Sequence, residues 1–176
     1  LTYKSIEIKN QGKGSNSFGL LGLADDTLNY RVYIPQLNIN KASFLNVQES
    51  STPDDKSRIG AGLLQYGDVT LDFLNRRFYF EAHQEVNDLK ENLFPISMAY
   101  DNDKLIVGIL WDSAYEAQIS SGDQILSIND KDFSEIDLCY AIRSLPSLES
   151  FKKDTLSLKL KNKLGEIKTV EIRRNN

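Results

Sequence analysis

The sequence predicts a mainly β chain with short helices, an α+β protein built in two consecutive blocks. Three observations lead there. Apolar and polar residues alternate with period two through most of the candidate elements. The connections between them are short and rich in Gly, Asn, Asp and Ser. Two stretches in the second block read as helix starts, Ser113 with Glu116 and Ser134 with Asp137, each a serine followed three residues later by an acid.

In the first block, residues 3–8 and 30–34 alternate, and residues 69–73 and 77–80 flank a turn centred on Asn75 and Arg76. Residues 10–17, rich in Gly, Ser and Asn, read as a turn. The polar stretch HQEVNDLKEN lacks apolar periodicity and reads as a linker or surface helix, which divides the chain into residues 1–83, a linker 84–92, and residues 93–176. In the second block, residues 94–100 and 104–110 form a hairpin across Asp101-Asn102-Asp103. Ser113 with Glu116 opens a short helix. Ser134 with Asp137 opens a longer one, whose Leu138, Ile142 and Leu145 share a face before Pro146 ends it. Residues 156–160 and 169–172 close the block as a second hairpin.

Composition narrows the function classes. With 176 residues, 40% of them apolar, the chain can bury one good core or two small ones. The 25 acidic against 21 basic side chains, a net charge of -4, argue against a broad basic surface for nucleic acid or an anionic membrane. One cysteine, Cys139, excludes an internal disulfide and a thiolate metal cluster. No run approaches the roughly 20 apolar residues of a membrane helix. The chain opens at Leu1 with neither an initiator methionine nor a signal peptide, so it is expected to be a processed or truncated piece of something longer.

The string LIVGILWDSAYEAQISSGDQILSINDKDF resembles the signature of PDZ domains: a strand, a Ser-Ala turn, a short helix, then Gly-Asp before an Ile-Leu-x-Ile-Asn strand. The resemblance covers the second block and implies a small β-barrel or sandwich with two helices. It implies peptide binding by strand addition between residues 96–100 and the second helix, with Asn92, Leu93, Phe94, Ile96, Met98, Leu138 and Ile142 as the peptide-binding residues. The family's carboxylate-binding loop is Gly-rich, whereas the matching stretch here is Glu91-Asn92-Leu93-Phe94. Lost glycines and the Glu91 charge disfavour a free C-terminal carboxylate and leave internal segments as ligands.

RIGAGLLQYGDVTLDFLNRRFYF resembles the last third of retropepsin-like aspartic protease domains of bacterial type, with Ile59, Gly60 and Asp72 as the structural motif of the lobe. In that family Gly60 would let a strand thread beneath the catalytic loop, and Asp72 would be a strand-end acid. Two aspartates sharing a proton do the chemistry, each in an Asp-Thr/Ser-Gly loop. No such triplet occurs here; the nearest string, Asp26-Thr27-Leu28, has Leu where the tight loop needs Gly and reads as a surface turn rather than a catalytic loop. The resemblance therefore implies a catalytic residue upstream of Leu1, on the same gene product or a paired lobe, and a chain inactive alone. It also implies a parent aspartic endopeptidase of the bacterial envelope, periplasm or secreted fraction, whose PDZ domain recruits or regulates substrates. The alternative is a non-catalytic adaptor with a degenerate protease lobe.

Other chemistries find little support. His83 is the only histidine, which excludes a His-rich metal site and favours a solvent-facing side chain over a triad member. Gly60-Ala61-Gly62 continues into no phosphate-binding pattern, and neither Asp54-Asp55 nor Asp101-Asn102-Asp103 continues into a calcium loop. No cofactor or metal is expected. The expected partners are peptide segments and an upstream protease lobe.

Overall fold

The computed structural model describes residues 2–15, 18–19, 22–51, 58–137, 139–140 and 151–175. The fold is mainly β: of the described residues 55% are strand and 7% helical, and no helix among them reaches seven residues. The strands run as β1 (Thr2–Tyr3), β2 (Glu7–Gly14), β3 (Phe18–Gly19), β4 (Gly22–Leu23), β5 (Thr27–Ile39), β6 (Ala42–Ser50), β7 (Gly67–Asp72) and β8 (Arg77–Ala82). They continue as β9 (Val86–Asp88), β10 (Ile96–Asp101), β11 (Lys104–Leu110), β12 (Gln124–Ile128), β13 (Lys131–Asp132), β14 (Thr155–Lys161) and β15 (Ile167–Arg173).

Two compact units emerge, and the chain crosses between them three times. Unit 1 comprises Leu1–Lys9 and Tyr30–Glu91; unit 2 comprises Asn10–Asn29 and Asn92–Asn176. Unit 2 therefore includes a piece of the chain that precedes most of unit 1. The linker expected over 84–92 instead contains β9, which pairs in parallel with β6, Ser43 opposite Val86. Ser43 N–H donates to Glu85 C=O at 2.8 Å and Leu89 N–H to Leu45 C=O at 2.9 Å, so main-chain pairing supplies the order that side-chain periodicity did not signal.

In unit 1, β5 and β6 form an antiparallel hairpin across Asn40, whose φ of 55° suits a tight turn. Their inward residues Ile39, Ala42, Phe44 and Val47 meet Phe80 from β8. Phe44 packs edge-on against Tyr66 at 5.5 Å, a favoured geometry for aromatic quadrupoles.

Unit 2 has the deeper core. On β14, Leu156, Leu158 and Leu160 alternate inward at 0% exposure, opposite Val170 and Ile172 of β15 and beside Ile125 and Ile128 of β12. The β10–β11 hairpin turns through Asn102 (φ 45°) and Asp103 (φ 60°), the pair of left-handed residues a two-residue turn requires.

Both expected helix caps shift. Asp112, not Ser113, caps the short 3-10 turn Ser113–Tyr115, its Oδ1 accepting from Ala114 N–H at 2.9 Å. Ser134 lies in a bend with its N–H donated to Asp132 Oδ1, while Asp137 Oδ1 accepts from Tyr140 N–H at 2.7 Å just as helix begins. At both places an aspartate carboxylate accepts from an amide two or three residues on, in the role expected of serine. Leu138, Ile142, Leu145 and Pro146 lie outside the described residues.

Residues 10–14, expected to be a turn, are the second half of β2, and Gly14 pairs with Ile109 of β11. The glycines serve a close approach. A Cβ at Gly12 would stand 2.4 Å from Leu110 O, one at Gly14 2.1 Å from Gly108 O, and one at Gly108 2.4 Å from Ser15 O. The buried Asn29 side chain holds this strand in place, donating to Gly14 C=O at 3.0 Å and Thr27 C=O at 2.9 Å.

Candidate functional site

The most suggestive surface in unit 2 is the outer edge of β10. Its inner edge pairs with β11 from Ile96↔Leu110 to Asp101↔Lys104, with a bulge between Ser97 and Met98. No strand among the described residues pairs with the other edge. The residues flanking a two-residue turn exchange both main-chain bonds, so alternation turns the N–H and C=O of Met98 away from β11 toward that other edge. Ser97 Oγ is buried with no hydrogen-bond partner among the described residues.

Side chains along β10 divide between core and rim. Ile96 is 1% exposed and Phe94 fully buried; both sit in the core rather than on a groove wall. Met98 packs partly buried against that core. Tyr100 OH donates to Asp103 Oδ1 at 2.6 Å, and that carboxylate, more than burial, pushes the phenol's pKa up. Short β3 and β4 lie near β10.

The loop leading into β10 is held by the C-terminal residues of the described chain. Arg174 stacks on the Phe94 ring at 4.5 Å. Its Nη1 donates to Asn92 C=O at 2.8 Å and its Nη2 to Phe151 C=O at 3.1 Å. Asn175 N–H donates to Leu93 C=O at 2.9 Å, and Trp111 N–H to Pro95 C=O at 2.7 Å. Thus Asn92, Leu93 and Phe94 meet the body of unit 2 through carbonyls and a buried ring. Sequence reading missed Arg174, because a cation in a Lys/Arg-rich tail looks like solvated surface until the ring beneath it is seen.

A polar hollow of about 640 Å³ lies elsewhere in unit 2, lined by Asp26, Asp101, Lys104, Ser121, Lys161 and Lys163 among others. Charges of both signs line it. Asp26, of the Asp26-Thr27-Leu28 string, is exposed there and starts no tight loop.

In unit 1, none of the three residues of the lobe motif lines either hollow described among these residues. Ile59 is 53% exposed, and a Cβ at Gly60 would meet nothing within 4 Å, so the close approach expected of this glycine is absent among the described residues. Asp72 closes the β7–β8 turn, accepting from Asn75 N–H at 3.0 Å and Asn75 Nδ2 at 2.7 Å, which holds its carboxyl below the ordinary range. His83 Nε2 lies 3.8 Å from Asp68, both exposed. A second hollow of about 420 Å³ is lined by Val47, Glu49, Tyr66, Asp88 and Lys90 among others; Glu49 is exposed there overall, and partial desolvation by its neighbours raises its carboxyl's pKa.

Among the described residues no group of three or more His, Cys, Asp or Glu could hold a metal ion, and no helix is long and apolar enough to cross a membrane. Compared with protein families, curated proteins and solved structures, the chain matches none.

Proposed function

We propose that unit 2 binds an extended peptide segment by adding it as a strand along the outer edge of β10, in the manner of a PDZ domain. The observation that carries this reading is the edge of β10 with which no strand among the described residues pairs, where Met98 offers a main-chain donor and acceptor. The ligand is an internal segment rather than a free C-terminus. The loop Glu91-Asn92-Leu93-Phe94 lacks the glycines that would let its backbone turn several N–H groups inward on a carboxylate.

In the parent protein this binding recruits or regulates substrates of an aspartic endopeptidase of the bacterial envelope, with unit 1 as part of its β lobe. The catalytic aspartate lies outside this chain, which has no Asp-Thr-Gly or Asp-Ser-Gly. A non-catalytic adaptor is the second reading, favoured by the empty surroundings of Gly60.

Two phage-displayed libraries test the binding, one presenting free C-termini and one presenting internal segments. Internal segments should be enriched, perturb the amide resonances of residues 96–100, and bind about tenfold or more weakly to Met98→Lys that retains the native spectrum. Enrichment of neither library, or affinity indifferent to Met98→Lys, would sink the groove. Pepstatin-sensitive cleavage by the full-length parent would separate the protease from the adaptor.

A further inference from the structure

The β7–β8 hairpin in unit 1 stands as a two-stranded sheet, and neither outer edge pairs with another strand among the described residues. Its apolar face splits into two halves. Near the base, Phe80 is 4% exposed and packs with Phe44 at 6.2 Å, with Val69 opposite it. Toward the tip, the facing pair Leu71 and Phe78 are 54% and 49% exposed, and Phe73 and Leu74 in the turn are 83% and 96% exposed. A two-stranded hairpin with an apolar, unpaired edge is marginal alone and a ready template for another strand.

We propose that this hairpin is a self-association surface: two copies of the chain join through the outer edges of their β8 strands, antiparallel, about a two-fold axis at Tyr79. The order Arg77-Phe78-Tyr79-Phe80-Glu81 is charge-complementary to itself when reversed. Pairing about Tyr79 sets Arg77 opposite Glu81 of the second copy, twice over, and Phe78 opposite Phe80. Opposite charges directly across an antiparallel pair stabilise it, and like charges do the reverse. The same operation on β7, centred on Thr70, would set Asp68 against Asp72 twice, so that edge repels its copy. The contact is isologous and closed, which ends association at two chains.

Main-chain geometry agrees. His83 N–H donates to Tyr66 C=O at 2.9 Å, which assigns Arg77, Tyr79 and Glu81 by alternation to the inner ladder with β7. The N–H and C=O of Phe78 and Phe80 then face outward and meet each other in the Tyr79-centred register. A slip that keeps this parity moves the centre to Phe78 or Phe80 and loses both ion pairs. A two-fold axis normal to the sheet also keeps the apolar faces on one side. The uncovered tip half of each hairpin then lies beside the core-packed base half of the other.

Sedimentation velocity over a concentration series tests this on the intact chain. A reversible monomer–dimer equilibrium is expected. Arg77→Glu alone, or Glu81→Arg alone, should raise the dissociation constant about tenfold or more, and the double exchange R77E/E81R should restore it. In a Cys139→Ser background, mild oxidation of Tyr79→Cys should give a covalent dimer, because the axis pairs position 79 with itself. A chain monomeric at every concentration overturns the proposal and leaves the apolar tip for a different protein. A dimer indifferent to Arg77→Glu, or one not rescued by the double exchange, overturns the β8 register.

Discussion

Units 1 and 2 are built from similar strands yet handle their apolar residues differently. In unit 2, Phe94, Leu105, Ile125, Ile128, Leu156, Leu158, Leu160 and Ile172 are all fully shielded from solvent. Unit 1 has a buried cluster of Ile39, Ala42, Phe44, Val47 and Phe80, with partly buried side chains around it. Among the described residues, every large apolar side chain that is exposed, except Leu28, Leu164 and Ile167, belongs to unit 1. The hydrophobic effect rewards removal of such surface from water wherever a partner can supply it. Unit 2 therefore covers most of its own apolar surface, whereas unit 1 leaves many large apolar side chains open to solvent.

Substitutions can widen or erase that contrast. Phe133→Ala, at a ring 1% exposed in the core of unit 2, should cost about 3–5 kcal/mol and lower the denaturant midpoint of that unit strongly. Gly14→Ala should cost about 1–3 kcal/mol by forcing a methyl against Gly108 O, and amide exchange at Ile109 should quicken. By contrast, Leu74→Ser at the tip of the unit 1 hairpin should change stability by no more than about 0.5 kcal/mol. Parity between Phe133→Ala and Leu74→Ser in urea melts would break the comparison.

The smallest effects are in pH. Asp72, held below its ordinary pKa by Asn75, lends the unit 1 turn stability that is present above the ordinary value of 3.8 and lost as pH falls through the lower folded value. The amide protection of Asn75 should fall on acidification. That of Leu164 in unit 2 should fall less, since its acceptor is the neutral Asn162 side chain at 3.0 Å. Glu49 has the opposite sign. Its raised pKa means the folded state favours the protonated acid, so stability is lost as pH rises through the folded pKa. Glu49→Gln should therefore raise the melting temperature of unit 1 at neutral pH, with the gain vanishing below the ordinary 4.5.

The regular hairpins were legible because period-two alternation and turn residues are local signals. Residues 69–80, 94–110 and 156–172 fold as strand pairs where they were expected. The β2 extension was not legible. Gly12 and Gly14 lower strand propensity and read as a turn, and only contact with Gly108 across the fold makes small residues an advantage. The pattern Gly-x-Gly at the end of an alternating run was the available hint. Likewise β9 is ordered by parallel pairing with β6, which leaves no mark in local periodicity. The strand β10 followed from the alternation and its open edge was expected only through the family resemblance, whereas the burial of Ile96 and Phe94 followed from packing that alternation alone does not rank.

The pairing of Gly14 with Ile109 also bears on how the chain folds. This contact closes a loop that contains all of Tyr30–Glu91, and closure entropy grows with the length of flexible chain enclosed. If Tyr30–Glu91 condenses first, the flexible span between the two pieces of unit 2 shrinks and the search by β2 for β11 quickens. Nascent chains should therefore acquire their order from the less complete unit, with the better packed one maturing only after β11 has left the ribosome.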